Sequence, residues 1–85
     1  MLIIFRQPLA DPGRRKAVAK YSGVTLHTGN RFIEMMAQTE ADTRPDCVSV
    51  SVRNVKPDHY GTVRHVVTLI GKNNTSLAEY YGDWP

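Results

Sequence analysis

Eighty-five residues hold the chain to one domain, 1–85, close to the lower size at which a hydrophobic core supports itself. With 41% apolar and 22% charged residues, the composition is that of an ordinary globular protein and excludes wholesale disorder. The net charge of +3 is unevenly spread: residues 1–31 carry Arg6, Arg14, Arg15, Lys16, Lys20 and Arg31 against Asp11 alone, a net of +5, while the remainder carries five bases and seven acids, a net of −2. Such an asymmetry suits one face turned to a polyanion, or a clustering of solvated side chains without further meaning.

Thin burial at this size is commonly relieved by oligomerisation, so a homodimer is expected. Cys47 stands alone, which excludes an internal disulfide framework. The apolar run Met1–Phe5 is too short for a signal-peptide core or a membrane span. The expectation is a cytoplasmic protein with no membrane partner.

In chain order, Met1-Leu2-Ile3-Ile4-Phe5 reads as a short strand buried on both faces, closed by Arg6, Gln7 and Pro8. Pro8–Gly13 is turn-rich, and Asp11 before Pro12 has the form of a helix start. A helix from about Gly13 to Ser22 follows, with Gly23 as its left-handed stop and Ala17, Val18 and Tyr21 near one side. Arg14, Arg15 and Lys16 sit where the helix dipole disfavours cations, and the rival is a strand over Ala17–His27.

A second helix begins after Thr25 as N-cap and runs to about Gln38 or Thr39, with Phe32, Ile33, Met36 and Ala37 as its apolar stripe. Gly29 would be interior to it; alternatively Thr28-Gly29-Asn30 is a turn and the helix starts at Arg31. Asp42–Asp46 is a loop. Cys47–Val55 and Thr62–Ile70 alternate as the strands of a hairpin closed by Lys56–Gly61, the second strand lying between the first and Met1–Phe5. Ser76-Leu77-Ala78-Glu79 has capping-box spacing and predicts a short helix to Tyr81, ended by Gly82. The fold class expected is therefore α+β: an N-terminal strand, a helical pair, an antiparallel β-hairpin and a short C-terminal helix around one small sheet.

The pair of helices meets the physical requirements of a helix-turn-helix. Ala19 is small where the helices cross, Gly23 accepts positive φ, Val24 plugs the space between them, and Phe32 and Ile33 face inward. At this point Val18–Ile33 resembles the N-terminal headpiece of the lac-repressor family, with Gly29 standing where that family carries an apolar residue. The resemblance implies a non-enzymatic regulator binding double-stranded DNA. Leu26 and His27 would open the recognition helix, with Thr25, His27, Thr28, Asn30 and Arg31 on bases or phosphates. Arg14, Arg15, Lys16 and Lys20 would hold phosphates.

The alternative is a small protein-binding inhibitor or adaptor of the kind that phages and mobile elements encode. It would act through an exposed sheet edge or through the aromatic tail Tyr80, Tyr81 and Trp84. Cys47, Asp58, His59 and His65 include the residue types for thiol catalysis, but nothing in their spacing brings them together, and no zinc-ligand or phosphate-loop pattern is present. No enzyme activity, cofactor or metal is expected.

Overall fold

The computed structural model describes residues 1–56 and 63–85. The elements are β1 (Leu2–Pro8), β2 (Lys16–Tyr21), α1 (Leu26–Thr43), β3 (Ser49–Val55), β4 (Arg64–Ile70) and β5 (Ser76–Asp83), with single turns of 3₁₀-helix at Pro12–Arg14 and Lys72–Asn74. The strands form one five-stranded sheet in the order β2-β1-β5-β4-β3, every neighbouring pair antiparallel. The helix covers one face of the sheet, chiefly over β4 and β5.

Alternation along β1 sets which face is which. Leu2 and Ile4 point under the helix and are fully buried, while Ile3 and Phe5 point to the open face. On the same side lie Gly82 of β5 opposite Ile4, Tyr80 opposite Arg6, and then Val67 and Leu69 of β4. Ile33 and Ala37 of the helix close this core. No described helix is long and apolar enough to cross a membrane.

Two expected helices are strands instead. Residues 16–21 pair with β1, from Lys16 opposite Arg6 to Tyr21 opposite Leu2. The three cations that a helix N-terminus would disfavour sit at a hairpin turn and strand start, where no dipole opposes them. Strand pairing also gives the backbone of Lys16–Tyr21 a partner at the sheet edge. The helical pair is thus absent. Across Val18–Ile33 the chain runs as a strand, a corner and the first half of one helix.

The C-terminal helix is absent for a stronger reason. Ser76–Asp83 lies between β1 and β4 and is hydrogen-bonded on both sides, and two ladders outweigh one local cap. Consequently β4 neighbours β5 and not β1, which corrects the strand order read from the sequence.

Other local signals operate as written. Gly23 adopts φ +73° in the corner between β2 and α1. The Thr25 side chain then caps the helix, its Oγ1 accepting from the Thr28 amide at 3.2 Å. The helix continues through Gly29 and on to Thr43, past the expected end, and stops where Pro45 forces Arg44 into an extended conformation. The hairpin of β3 and β4 has an unbroken register from Ser49 opposite Ile70 to Val55 opposite Arg64. The greater part of its expected closing loop, 57–61, lies outside the described residues, as do the Asp58 and His59 weighed as catalytic groups.

Gly29 is where the helix comes closest to the sheet. A Cβ there would lie 2.7 Å from Trp84 Cζ2 and 2.8 Å from Leu2 Cδ2. Its glycine is a packing requirement, although it sits inside a helix where glycine costs about 1 kcal/mol relative to alanine.

Candidate functional site

The residues expected to contact DNA fall into two groups at opposite ends of the sheet. Arg14, Arg15 and Lys16 surround the turn between β1 and β2, at the end where Arg6 reaches the last turns of the helix. Thr25, His27, Thr28, Asn30 and Arg31 occupy the first turns of α1, at the end where Gly29 meets Leu2. Lys20, opposite Ile3, belongs to this second end and to the open face. The length of β2 separates the groups, about 16 Å at the usual rise of a strand. Thr25 and Thr28 are engaged with each other in the cap, their hydroxyl oxygens 3.1 Å apart.

The aromatic tail is not a tail. Tyr80 faces the helix and Tyr81 the opposite side, and their exposures of 6% and 3% remove both from a contact patch. Trp84 is half-buried, with its indole against Gly29. Tyr81 stacks on Phe5 with ring centroids 5.7 Å apart, and the guanidinium groups of Arg15 and Arg64 cover this pair at 3.9 Å from the Phe5 centroid and 4.6 Å from the Tyr81 centroid. Arg64 also reaches Asp83 at 2.9 Å, which ties the ring pair to the end of β5.

A polar cluster that no sequence pattern announced sits under the end of the helix. Glu40 accepts from Arg6 Nε and Nη2 at 2.6 and 2.7 Å, from Arg44 Nη1 at 3.0 Å and from the Tyr80 hydroxyl. Arg44 turns its other nitrogens to Asp46 at 2.9 and 2.8 Å. Hydrogen bonding from Arg6, with further bonds from Tyr80 and Arg44, outweighs burial and holds the Glu40 carboxyl at about 2. Burial, reinforced by the Glu40 carboxylate, pushes the Tyr80 phenol up to about 12. An ionised carboxylate has roughly four acceptor sites, and these four donors fill them. The cluster is a clasp between β1, β5 and α1, with no acceptor left over for a substrate.

The remaining candidate catalytic groups are far apart. His65 Nε2 lies 2.8 Å from Glu34 Oε2 and Nδ1 lies 3.1 Å from Asn54 Oδ1. The Cys47 thiol donates to the Ser49 carbonyl at 3.3 Å. Ser49 registers with Ile70 and Asn54 with His65, so thiol and imidazole stand at opposite ends of the hairpin ladder. Among the described residues no three of His, Cys, Asp and Glu are grouped so as to hold a metal ion.

Among the described residues nothing pairs with the outer edge of β3, and the two edges of the sheet differ in kind. On β2, the register shifts opposite Ile4 and Phe5, and Lys16 and Lys20 are exposed along a six-residue strand. Bulges and lysines are the usual means by which an edge is kept from pairing. On β3, seven residues run in unbroken register, and no described strand pairs their outer side. Val48 is 60% exposed, Val52 51% and Val55 36%, and across the hairpin Val63 is 51% exposed. Arg53 is the one charge on this strand, and it leans away to Glu79 at 3.4 Å.

The chain thus defines a small α+β class in which one helix lies on a meander-and-hairpin sheet with one guarded and one unguarded edge. Family models, curated proteins and solved structures give no match to it.

Proposed function

We propose that this protein is a non-enzymatic protein-binding module whose working surface is the outer edge of β3, and that it acts in the cytoplasm, where a lone thiol such as Cys47 stays reduced. The observation that carries the reading is the contrast between the two edges: β2 has a bulge and two lysines, and β3 has neither and exposes Val52, with Val48 exposed just before it. An extended partner added to β3 satisfies a row of backbone donors and acceptors, which supplies affinity. Alternate side chains of that partner meet Val50 and Val52 on the helix side and Ser51, Arg53 and Val55 on the other, which supplies selectivity. Duplex DNA is the lesser reading, because the basic turn and the start of α1 stand a strand's length apart.

Selection from a displayed library of random peptides tests the proposal. Enriched peptides are expected to alternate apolar and polar residues and to protect β3 amides from hydrogen exchange when bound. The double variant Val48→Lys, Val52→Lys is expected to lose them while keeping the wild-type circular dichroism. Peptides that bind that variant unchanged, or that protect amides elsewhere, would overturn the reading.

A further inference from the structure

We infer that the strand taken up by β3 is β3 of a second copy of this chain, paired antiparallel about a two-fold axis through Val52, giving a continuous ten-stranded sheet. The inference rests on the edge reading above and names its occupant. A two-fold edge pairing must be centred on one residue, which then faces itself. The centre of Ser49–Val55 is Val52, and only this register pairs all seven residues. It sets Val52 against Val52, Val50 against Asn54, Ser51 against Arg53 and Ser49 against Val55.

The charges agree with this register. Arg53 meets a serine, and no like charges stand opposite one another, whereas a register centred one residue later would set Arg53 against Arg53. It also joins the two half-exposed Val52 side chains on the helix side, where each otherwise faces water.

The alternative self-pairing, β3 of one copy on β2 of the next, fails on both strands. β2 offers a bulged ladder of six residues to a straight one of seven. That contact is heterologous, so it leads to rings or filaments and not to a closed pair. The two-fold arrangement keeps both helices on one face. With strands about 4.8 Å apart and each helix lying over β4 and β5, the helix axes stand about 19 Å from each other. A helix with its side chains is about 10–12 Å across, so the two helices do not collide.

Sedimentation equilibrium over a concentration series and site-directed crosslinking test the inference together. Wild type is expected to dimerise, and Val52→Lys, which places ammonium groups opposite each other, is expected to raise the dimer Kd tenfold or more. In a Cys47→Ser background, Val52→Cys is expected to form a disulfide dimer on mild oxidation, because directly opposed Cβ atoms lie about 5 Å apart. Ser49→Cys is expected not to, its copies lying about 20 Å apart along the paired strands. A wild-type protein that stays monomeric, or a dimer that survives Val52→Lys and crosslinks equally well through position 49, would sink the self-pairing. If such a monomer still takes selected peptides onto β3, the self-pairing alone fails. If the peptides also miss β3, the edge reading fails with it.

Discussion

The half of the sheet built from β1 and β2 is tied to the helix by a shared carboxylate and a ring pair, whereas β3 runs beside the helix with only Val50 packed on the core and, among the described residues, no side-chain bond to it. Arg6 of β1 is locked to Glu40, Leu2 lies against the helix at Gly29, and Tyr21 of β2 packs at a tilt against Phe32 with centroids 4.7 Å apart. On β3, Val50 is the one residue not exposed, and Val52 on the helix side remains half in water. The difference teaches that exposure at an edge has two meanings. At β2 the exposed side chains include two lysines, which a solitary edge tolerates; at β3 they include Val52 and Val55 among serines, Arg53 and Asn54, and the two valines lose by staying exposed.

The contrast is broken most severely by unfastening the first half. Glu40→Gln is expected to cost about 3 kcal/mol of unfolding free energy, because it leaves Arg6 and Arg44 without their shared carboxylate. Urea denaturation of the variant beside wild type reads this directly.

The same carboxylate makes stability depend on acid. Its folded-state value near 2 lies below the ordinary 4.5, so its contribution is complete above about pH 4.5 and is lost as the pH falls towards 2. Tyr80 acts at the other extreme: its value of about 12 against an ordinary 10 gives stability present below pH 10 and lost as the pH rises through 12. Thermal melts across pH are expected to show both flanks in wild type. Glu40→Gln should lose the acid flank, and a wild type equally stable at pH 5 and pH 2 would remove the clasp from the account.

A second change to the fastened half, Gly29→Ala, gains helix propensity but drives a methyl group into Trp84 and Leu2. The net expectation is a loss of about 1–2 kcal/mol by the same denaturation assay, and a stabilised variant would mean that the helix lies farther from the sheet.

Sharpening the contrast requires less drastic changes. Lys16→Val with Lys20→Val gives β2 exposed valines like those of β3. Light scattering is expected to show species larger than the wild-type oligomer, because a second open edge permits growth beyond a closed pair. Solubility unchanged by this pair of substitutions would show that the bulge alone guards β2. Smallest in its effect on the fold is Val52→Lys, expected to change monomer stability by no more than about 0.5 kcal/mol in the same denaturant titration, since position 52 is an exposed site.

The elements legible in the sequence are those whose signals are local. The Thr25 cap, the apolar stripe Phe32-Ile33-Met36-Ala37 and the alternation of the two hairpin segments each depend on residues a turn or a pleat apart, and among the described residues the cap, the stripe and strands at Ser49–Val55 and Arg64–Ile70 are present. The same locality misled at both ends. Gly13–Ser22 and Ser76–Tyr81 carry caps and stops that suit short helices, yet both segments are claimed by strands elsewhere in the chain. The candidate site followed the same division. An edge available for strand addition was foreseeable from the hairpin, but which strand forms it, and that Tyr80 and Tyr81 are core, required the sheet order.

By itself, then, the sequence determined one amphipathic helix, a valine-rich hairpin and a basic first third, because periodicity and charge are properties of neighbours. Tertiary structure alone decided that Lys16–Tyr21 and Ser76–Asp83 are strands, and that Gly29 is a point of contact between helix and sheet. It also decided that Arg6, Glu40, Arg44 and Tyr80 meet, although Arg6 and Tyr80 stand 34 and 40 residues from Glu40. The physical reason is that a ladder hydrogen bond or a shared carboxylate is satisfied by whatever the fold brings to it, and sequence distance leaves no trace of that partner.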